Sequence, residues 1–477
     1  MFAQIKRLGA DSLLYAFMNV GTKLIAFIML PIYTSFLPDP EQYGVIDLLD
    51  RYTSMLTFVV IFGTDSALAF YYFDTEDKKK RLDYVRSVMT FRLLIVLIIA
   101  IIFLIGGQWL TQLLLDDAKL YYLFYVAIGV LALDTIIAMI LTVLRYDFFT
   151  KKVVTFTILK MFLIAVFSYG FLAYIAPTID SILYGRLISV VIVALLLIKP
   201  LLKYIKFTFN KTLLKEILSY AIPLVPASLA FWVIVNANSF LLKIFTSLHE
   251  VGIYGVAVKF ASLITLLTSG VQMAWRPFSM SLKDKKDSHN LFAKLYYGIL
   301  LIGTLGILMV ATIMPWIIPI LGKGYHEAYQ YIAILSAVTF LNFFYMIISV
   351  GIFFSKQTKI ISYAFGMAAV VNIILNVLLI PPFAIWGSVV AYLISYIVAI
   401  TYIFFKSQKL YHVPVSFGKM TLIFLSSLLA VSVIVYIQES SIPNYNILFA
   451  WLGYIVIVLL SRIDKDLLKK SQKSTLS

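Results

Sequence analysis

A chain of 477 residues that is 62% hydrophobic and only 13% charged, with a mean hydropathy of +0.97, lies far outside the soluble globular range. Its net charge of +16 suits an anionic membrane surface, so basicity alone does not point to nucleic acid. Cysteine is absent, which excludes a disulfide framework, a thiolate metal site and a cysteine nucleophile.

A membrane-spanning helix needs roughly 20 mostly apolar residues, and such stretches recur along the chain. Fourteen spans are predicted, at 11–37, 44–72, 87–107, 120–145, 153–175, 181–198, 217–246, 252–278, 291–321, 327–354, 360–380, 384–405, 420–437 and 445–461. The alternating ten-residue segments of a membrane barrel do not dominate anywhere, so the predicted fold class is an all-α integral membrane protein. The start, "MFAQIKRLGADSLLYAF", lacks a small-residue cleavage site and reads as a retained first helix.

Successive loops differ sharply in charge. One set carries 28 Lys and Arg residues, including "DKKKR" at 77–81, Lys151, Lys152, Lys406, Lys409 and a basic tail. The other holds only Lys119 and Lys323, beside Asp39, Glu41, Asp116, Asp117, Asp180, Glu250, Glu327 and Glu439. The positive-inside rule then places both termini in the cytoplasm. The stretch "KPLLKYIKFTFNKTLLKEIL" at 199–218 spaces lysines along apolar residues and is expected to lie in the cytoplasmic interface as a connector.

Nine basic residues fall inside or at the edge of the spans: Lys23, Arg51, Arg92, Lys160, Arg186, Lys243, Lys259, Arg276 and Lys294. Asp47, Asp50, Asp65 and Asp134 join them. Each charge costs roughly 2.5–3.5 kcal/mol at the centre of a lipid-facing helix, so these groups must face water or one another. Arg92 and Lys294 sit close enough to span ends to snorkel. Asp47, Arg51, Ser54, Phe58, Phe62 and Asp65 follow steps of three or four and are predicted to share one helix face. Lys259, Ser262, Leu266, Ser269, Met273 and Arg276 repeat the device. Asp47 and Arg51 are spaced for a local salt bridge, whereas Lys23, Lys259 and Arg276 have no carboxylate near in sequence and point to a water-filled cavity.

"PEQYGVIDLLDRY" at 40–52 aligns with "HEVGIYGVAVKFA" at 249–261 around a shared Tyr-Gly, an offset of 211 residues. Six spans duplicated in the next six give parallel repeats about an axis along the membrane normal, with a central site between them. The expected organisation is an N-lobe at 1–198, an amphipathic connector at 199–216, a C-lobe at 217–405 and a C-terminal helix pair with its tail at 406–477. Kinks are expected where proline sits in or beside spans, as at Pro31, Pro223, Pro226, Pro277, Pro315 and Pro319. His249, His289, His326 and His412 are scattered over loops and suggest no metal site. No phosphate-binding glycine loop is present and every outer loop is short, which argues against an enzyme; no cofactor is expected.

The segments "LPIYTSFLPDPEQYGVIDLL" at 30–49, "YAIPLVP" at 220–226, "HEVGIYGVAVKFASLITLL" at 249–267, "AWRPF" at 274–278 and "VNIILNVLLIPPFAIWG" at 371–387 resemble the polysaccharide flippases, the O-antigen and capsule branch of the multidrug/oligosaccharidyl-lipid/polysaccharide exporter superfamily. The resemblance implies two six-helix lobes around a cationic cleft, two further C-terminal helices, and alternating access driven by an ion gradient. The implied substrate is an oligosaccharide on undecaprenyl pyrophosphate, carried across a bacterial inner membrane in company with anionic inner-leaflet lipids and polysaccharide polymerase and export machinery. A pyrophosphate needs Arg and Lys partners. Carried over by position, Arg51, Arg145, Lys259 and Arg276 become candidate substrate contacts, with Lys23, Arg186 and Lys243 as further cationic candidates. Asp65 and Asp134 become candidates for ion coupling, and Asn236 and Asn238 for hydrogen bonds to sugar. Where relatives often carry Arg after the "SAL" of span two, this chain has Phe70; where span seven often has Asp-Arg, it has Asn238 and Ser239. A lipid II flippase and a multidrug or cation exporter are the neighbouring alternatives, and a membrane glycan polymerase or ligase lacks its outer catalytic loop.

Overall fold

The computed structural model describes residues 2–204, 210–283, 288–440 and 442–462, and among them every regular element is helical. In chain order the helices are α1 Phe2–Phe36, α2 Pro40–Ile61, α3 Thr64–Asp74, α4 Lys78–Leu115, α5 Tyr121–Tyr146, α6 Thr150–Tyr174, α7 Ile179–Leu196, α8 Ile198–Tyr204 and α9 Lys211–Ala221. They continue with α10 Val225–Phe245, α11 Leu248–Ala261, α12 Ile264–Ser281, α13 Ser288–Ile317, α14 Tyr329–Ile348, α15 Val350–Phe354, α16 Lys359–Leu410, α17 Phe417–Glu439 and α18 Ile447–Leu460.

Among the described residues eleven helical segments are long and apolar enough to cross a membrane, and twelve if the bent pair α11 and α12 forms one span. Two places account for the distance from the fourteen predicted spans. Helix α16 has 52 residues, about 78 Å at 1.5 Å per residue, against a hydrocarbon core of about 30 Å. It breaks at Ala384 (φ 47°, ψ −126°), just after Pro381 and Pro382, where the sequence places the gap between two spans. The last apolar helix, Asn444–Leu460, lies at the low end of the roughly 17–25 residues that a crossing takes.

Ala384 occupies backbone space that favours glycine. Strain there is of order 1–3 kcal/mol and outweighs the roughly 0.5–1 kcal/mol that glycine costs in chain entropy. Ala384→Gly is therefore expected to raise stability by about 1 kcal/mol, read as a higher midpoint of thermal unfolding in detergent.

Packing divides the chain into two units, one holding Met1–Lys243 with Ser247–Gly252, the other Ile244–Thr246 with Ile253–Ser477. In the first, Val85, Val88, Met89, Ile137, Ile140, Val190 and Val193 form the centre of an apolar core. Helix α9 starts on Asn210, whose side chain accepts from the Thr212 and Leu213 amides, and buries Leu213, Leu214, Ile217 and Ala221. This apolar face packs on α3 and α4, so the connector's second half spends its amphipathic character on protein rather than on lipid. The starts of α2 and α11 also meet in this unit. A Cβ on Gly44 would overlap the Leu248 carbonyl, and one on Gly252 would overlap that of Pro40, so only glycine permits this approach.

The second unit is joined by hydrogen bonds between apolar helices, the usual polar link inside a bilayer. Thr304 and Tyr454 hydroxyls lie 2.6 Å apart, Trp451 donates to Thr312 Oγ1 at 3.0 Å, and Gln438 donates to the Ala311 carbonyl at 3.0 Å. These contacts fix α17 and α18 on α13.

Candidate functional site

Asp39 caps α2 by accepting from the Glu41 amide, and Pro40 fills the first turn, where its missing N–H costs nothing. About two and three turns beyond Pro40 lie Asp47 and Arg51, four residues apart on the same face. Both are buried. Arg51 Nε donates to Asp47 Oδ2 at 2.6 Å, and its Nη1 reaches Asn236 Oδ1 at 3.4 Å. The Ser239 hydroxyl of α10 donates to the same Asp47 oxygen at 3.1 Å. The local salt bridge thus exists, and it ties α2 to α10. Asn238, the residue before Ser239 in α10, is fully buried.

Asp50, on α2, takes both terminal nitrogens of Arg186 from α7, one of them at 3.3 Å. The planar guanidinium matches a carboxylate in this two-point fashion.

The stripe predicted to continue to Asp65 is interrupted. Phe62 (φ 44°) and Gly63 (φ 71°) both adopt left-handed backbone, so α2 ends and Asp65 opens α3. A matching break separates α11 from α12 with a 42° bend, but it comes after 14 helical residues rather than 22. The turn aims Asp65 at α4: Arg92 Nη2 donates to Asp65 Oδ1 at 2.6 Å and, with Nε, to Thr64 Oγ1 at 2.6 and 3.0 Å. Thr64 in turn donates to the Ile61 carbonyl, closing the break. Arg92 does not snorkel; its side chain is 3% exposed, while that of Asp65 is 49% exposed.

Lys160 of α6 donates to Asp134 of α5 at 2.8 Å, again with the base more buried than the acid. Lys243 binds Asp116 at 2.7 Å and the Leu113 carbonyl at 3.2 Å, at the left-handed end of α4.

Four further candidates are Lys23, Arg145, Lys259 and Arg276. Lys23 is exposed on α1. Arg145 ends α5, with its guanidinium 5.7 Å from the Tyr15 ring centroid. Lys259 is half-buried near the end of α11. The backbone of Arg276 belongs to α12, and its side chain lies outside the described residues.

Chemically, Asp65 and Asp134 are carboxylates held from behind by a more buried base and open in front. A cation or proton arriving at the open edge competes with that base for the same oxygens, which is how occupancy can alter a helix contact. No cluster of three or more metal-ligating side chains occurs among the described residues. Sequence reasoning missed Thr64, Arg92 and Ser239 as members of these networks. Only their polar character inside apolar spans marks them.

Residues 35–295 match the family described as polysaccharide biosynthesis proteins, more than half of the chain. An uncharacterized membrane protein of Methanocaldococcus jannaschii is 24% identical over 424 residues, 81% of this chain and 82% of that one. Among solved structures, the lipid II flippase MurJ in an inward closed conformation superposes with a TM-score of 0.73 at 16% identity, covering 96% of this chain and all of that one. An inward-facing multidrug resistance MATE transporter gives 0.53 at 17% identity over 86% of this chain and 99% of its own. The chain is therefore a multi-pass membrane protein of the polysaccharide biosynthesis family, with the fold of the multidrug/oligosaccharidyl-lipid/polysaccharide exporter superfamily.

Proposed function

We propose that the chain is a flippase that moves an oligosaccharide linked to undecaprenyl pyrophosphate from the cytoplasmic to the outer leaflet of the plasma membrane, coupled to an ion gradient. The observation that carries this reading is the family match over 35–295, because that stretch contains most of the basic and acidic residues embedded in spans. Lys259 and Arg276 are the proposed pyrophosphate contacts. Arg51 and Arg186, each engaged with an aspartate on or beside its own helix, hold the helices that frame the path. Asp65 and Asp134 are the proposed coupling carboxylates.

The fold likeness to a lipid II flippase favours one second reading, a lipid II carrier, whose substrate shares the same polyprenyl pyrophosphate.

The test is translocation of fluorescent undecaprenyl-pyrophosphate oligosaccharide in proteoliposomes, beside lipid II and a cationic dye. Loss of a charge-assisted contact worth about 1.5–3 kcal/mol predicts roughly 10- to 100-fold slower transport for Lys259→Ala and Arg276→Ala. Unchanged rates in both variants would sink the cationic contact. Transport of lipid II alone selects the second reading, and efflux of dye alone selects a drug exporter.

A further inference from the structure

Helix α16 doubles back at Ala384, and its two arms touch through Phe365 on the first and Tyr396 on the second, ring centroids 6.0 Å apart. Toward the open end of this hairpin a groove of about 420 Å³ runs along the surface, within the range of about 300–1,000 Å³ typical of ligand sites. Its walls are apolar, formed by Met367 from the first arm and Ile397, Val398 and Phe405 from the second. Met367 and Phe405 are exposed, so the groove faces the surroundings of the helix bundle.

Its mouth is of opposite character. Lys406 and Lys409 line the groove one turn apart, and the Lys406 ammonium sits 5.5 Å from the Tyr402 ring centroid, held at the rim. No acidic residue occurs in the sequence between Glu327 and Glu439, while Lys356, Lys359, Lys406, Lys409 and Lys419 all fall in that interval. These lysines belong to the loop set that the positive-inside rule assigns to the cytoplasmic face. An apolar slot at span level that ends in two cations at headgroup level is complementary to one kind of molecule, an amphiphile with an acyl chain and a phosphate.

We propose that this groove is a binding site for an anionic phospholipid of the cytoplasmic leaflet, its acyl chain along Met367, Ile397 and Phe405 and its phosphate between Lys406 and Lys409. The site is independent of the substrate assigned above.

The full chain in phosphatidylcholine nanodiscs, probed with spin-labelled phosphatidylglycerol against spin-labelled phosphatidylcholine, tests the assignment. Lys406→Gln with Lys409→Gln is expected to lower the relative association of phosphatidylglycerol about fivefold or more. Lys406→Arg with Lys409→Arg is expected to retain it. Lys151→Gln with Lys152→Gln, which removes the same charge from another loop, is expected to leave it in place. Met367→Trp keeps the charge and fills the slot, and is expected to weaken long-chain but not dihexanoyl phosphatidylglycerol. Inorganic phosphate at millimolar concentration should not compete, since it lacks the chain. An unchanged preference in the double glutamine variant, or an equal fall in the Lys151 and Lys152 control, would overturn the site and leave only general surface attraction.

Discussion

Asp65→Ala is expected to cost about 3–5 kcal/mol of stability, because it strands a guanidinium that is almost wholly buried. Arg92 has a side chain 3% exposed, and its other partners, Thr64 Oγ1 and the Met139 sulfur, carry no charge. Arg92→Leu is expected to cost less, about 1–3 kcal/mol, the range for a lost hydrogen-bonded partner. The Asp65 carboxylate left behind is already 49% exposed. Combining both substitutions should recover most of the first loss, since the lone charge is gone. Unfolding of the four proteins in detergent, arranged as a double-mutant cycle, gives the coupling directly. Equal single losses would mean that burial does not set the cost. In transport, Asp65→Asn is expected to leave binding of the glycan lipid near wild type while abolishing the acceleration by an imposed ion gradient.

The second large effect concerns Asp47 and Arg51, with the opposite symmetry. Their side chains are 6% and 9% exposed, so Asp47→Ala and Arg51→Ala should each cost about 3–5 kcal/mol. Asp47→Leu with Arg51→Met removes both charges in similar volume, and should return stability to wild type or exceed it by up to about 4 kcal/mol. The same double variant separates two roles for Arg51 in a flippase assay. If the guanidinium serves only to hold α2 against the Val235 carbonyl and Asn236 of α10, transport follows stability and is restored, which is the expected result. If it touches substrate, a stable double variant will still transport slowly. Ser239→Ala removes one hydrogen bond from Asp47 and should cost about 1 kcal/mol.

These pairs also show what the sequence could reveal. Asp47 and Arg51 are legible because one helical turn separates them. Asp50 with Arg186 and Asp65 with Arg92 are not, since their partners lie 136 and 27 residues away and periodicity speaks only for one helix at a time. Arg92 looks like a span-end residue until Gly63 and Phe62 turn α3 toward it. The span pattern itself is legible because a bilayer demands long apolar segments, and the gap read at 381–383 coincides with a proline pair and a reversed chain. The connector's apolar face was visible, but composition cannot distinguish a lipid surface from the groove between α3 and α4.

Four of the acid–base pairs among α2 to α7 bear on how this bundle responds to voltage. Arg51 with Asp47, Arg186 with Asp50, Arg92 with Asp65 and Lys160 with Asp134 are each electroneutral, so shifting them as paired units does almost no electrical work. Neutralising one aspartate leaves a net positive charge, whose full passage across the membrane is worth about 2.3 kcal/mol per 100 mV. Occupancy of Asp65 or Asp134 would thereby turn an electrically silent movement into one that the membrane potential can drive.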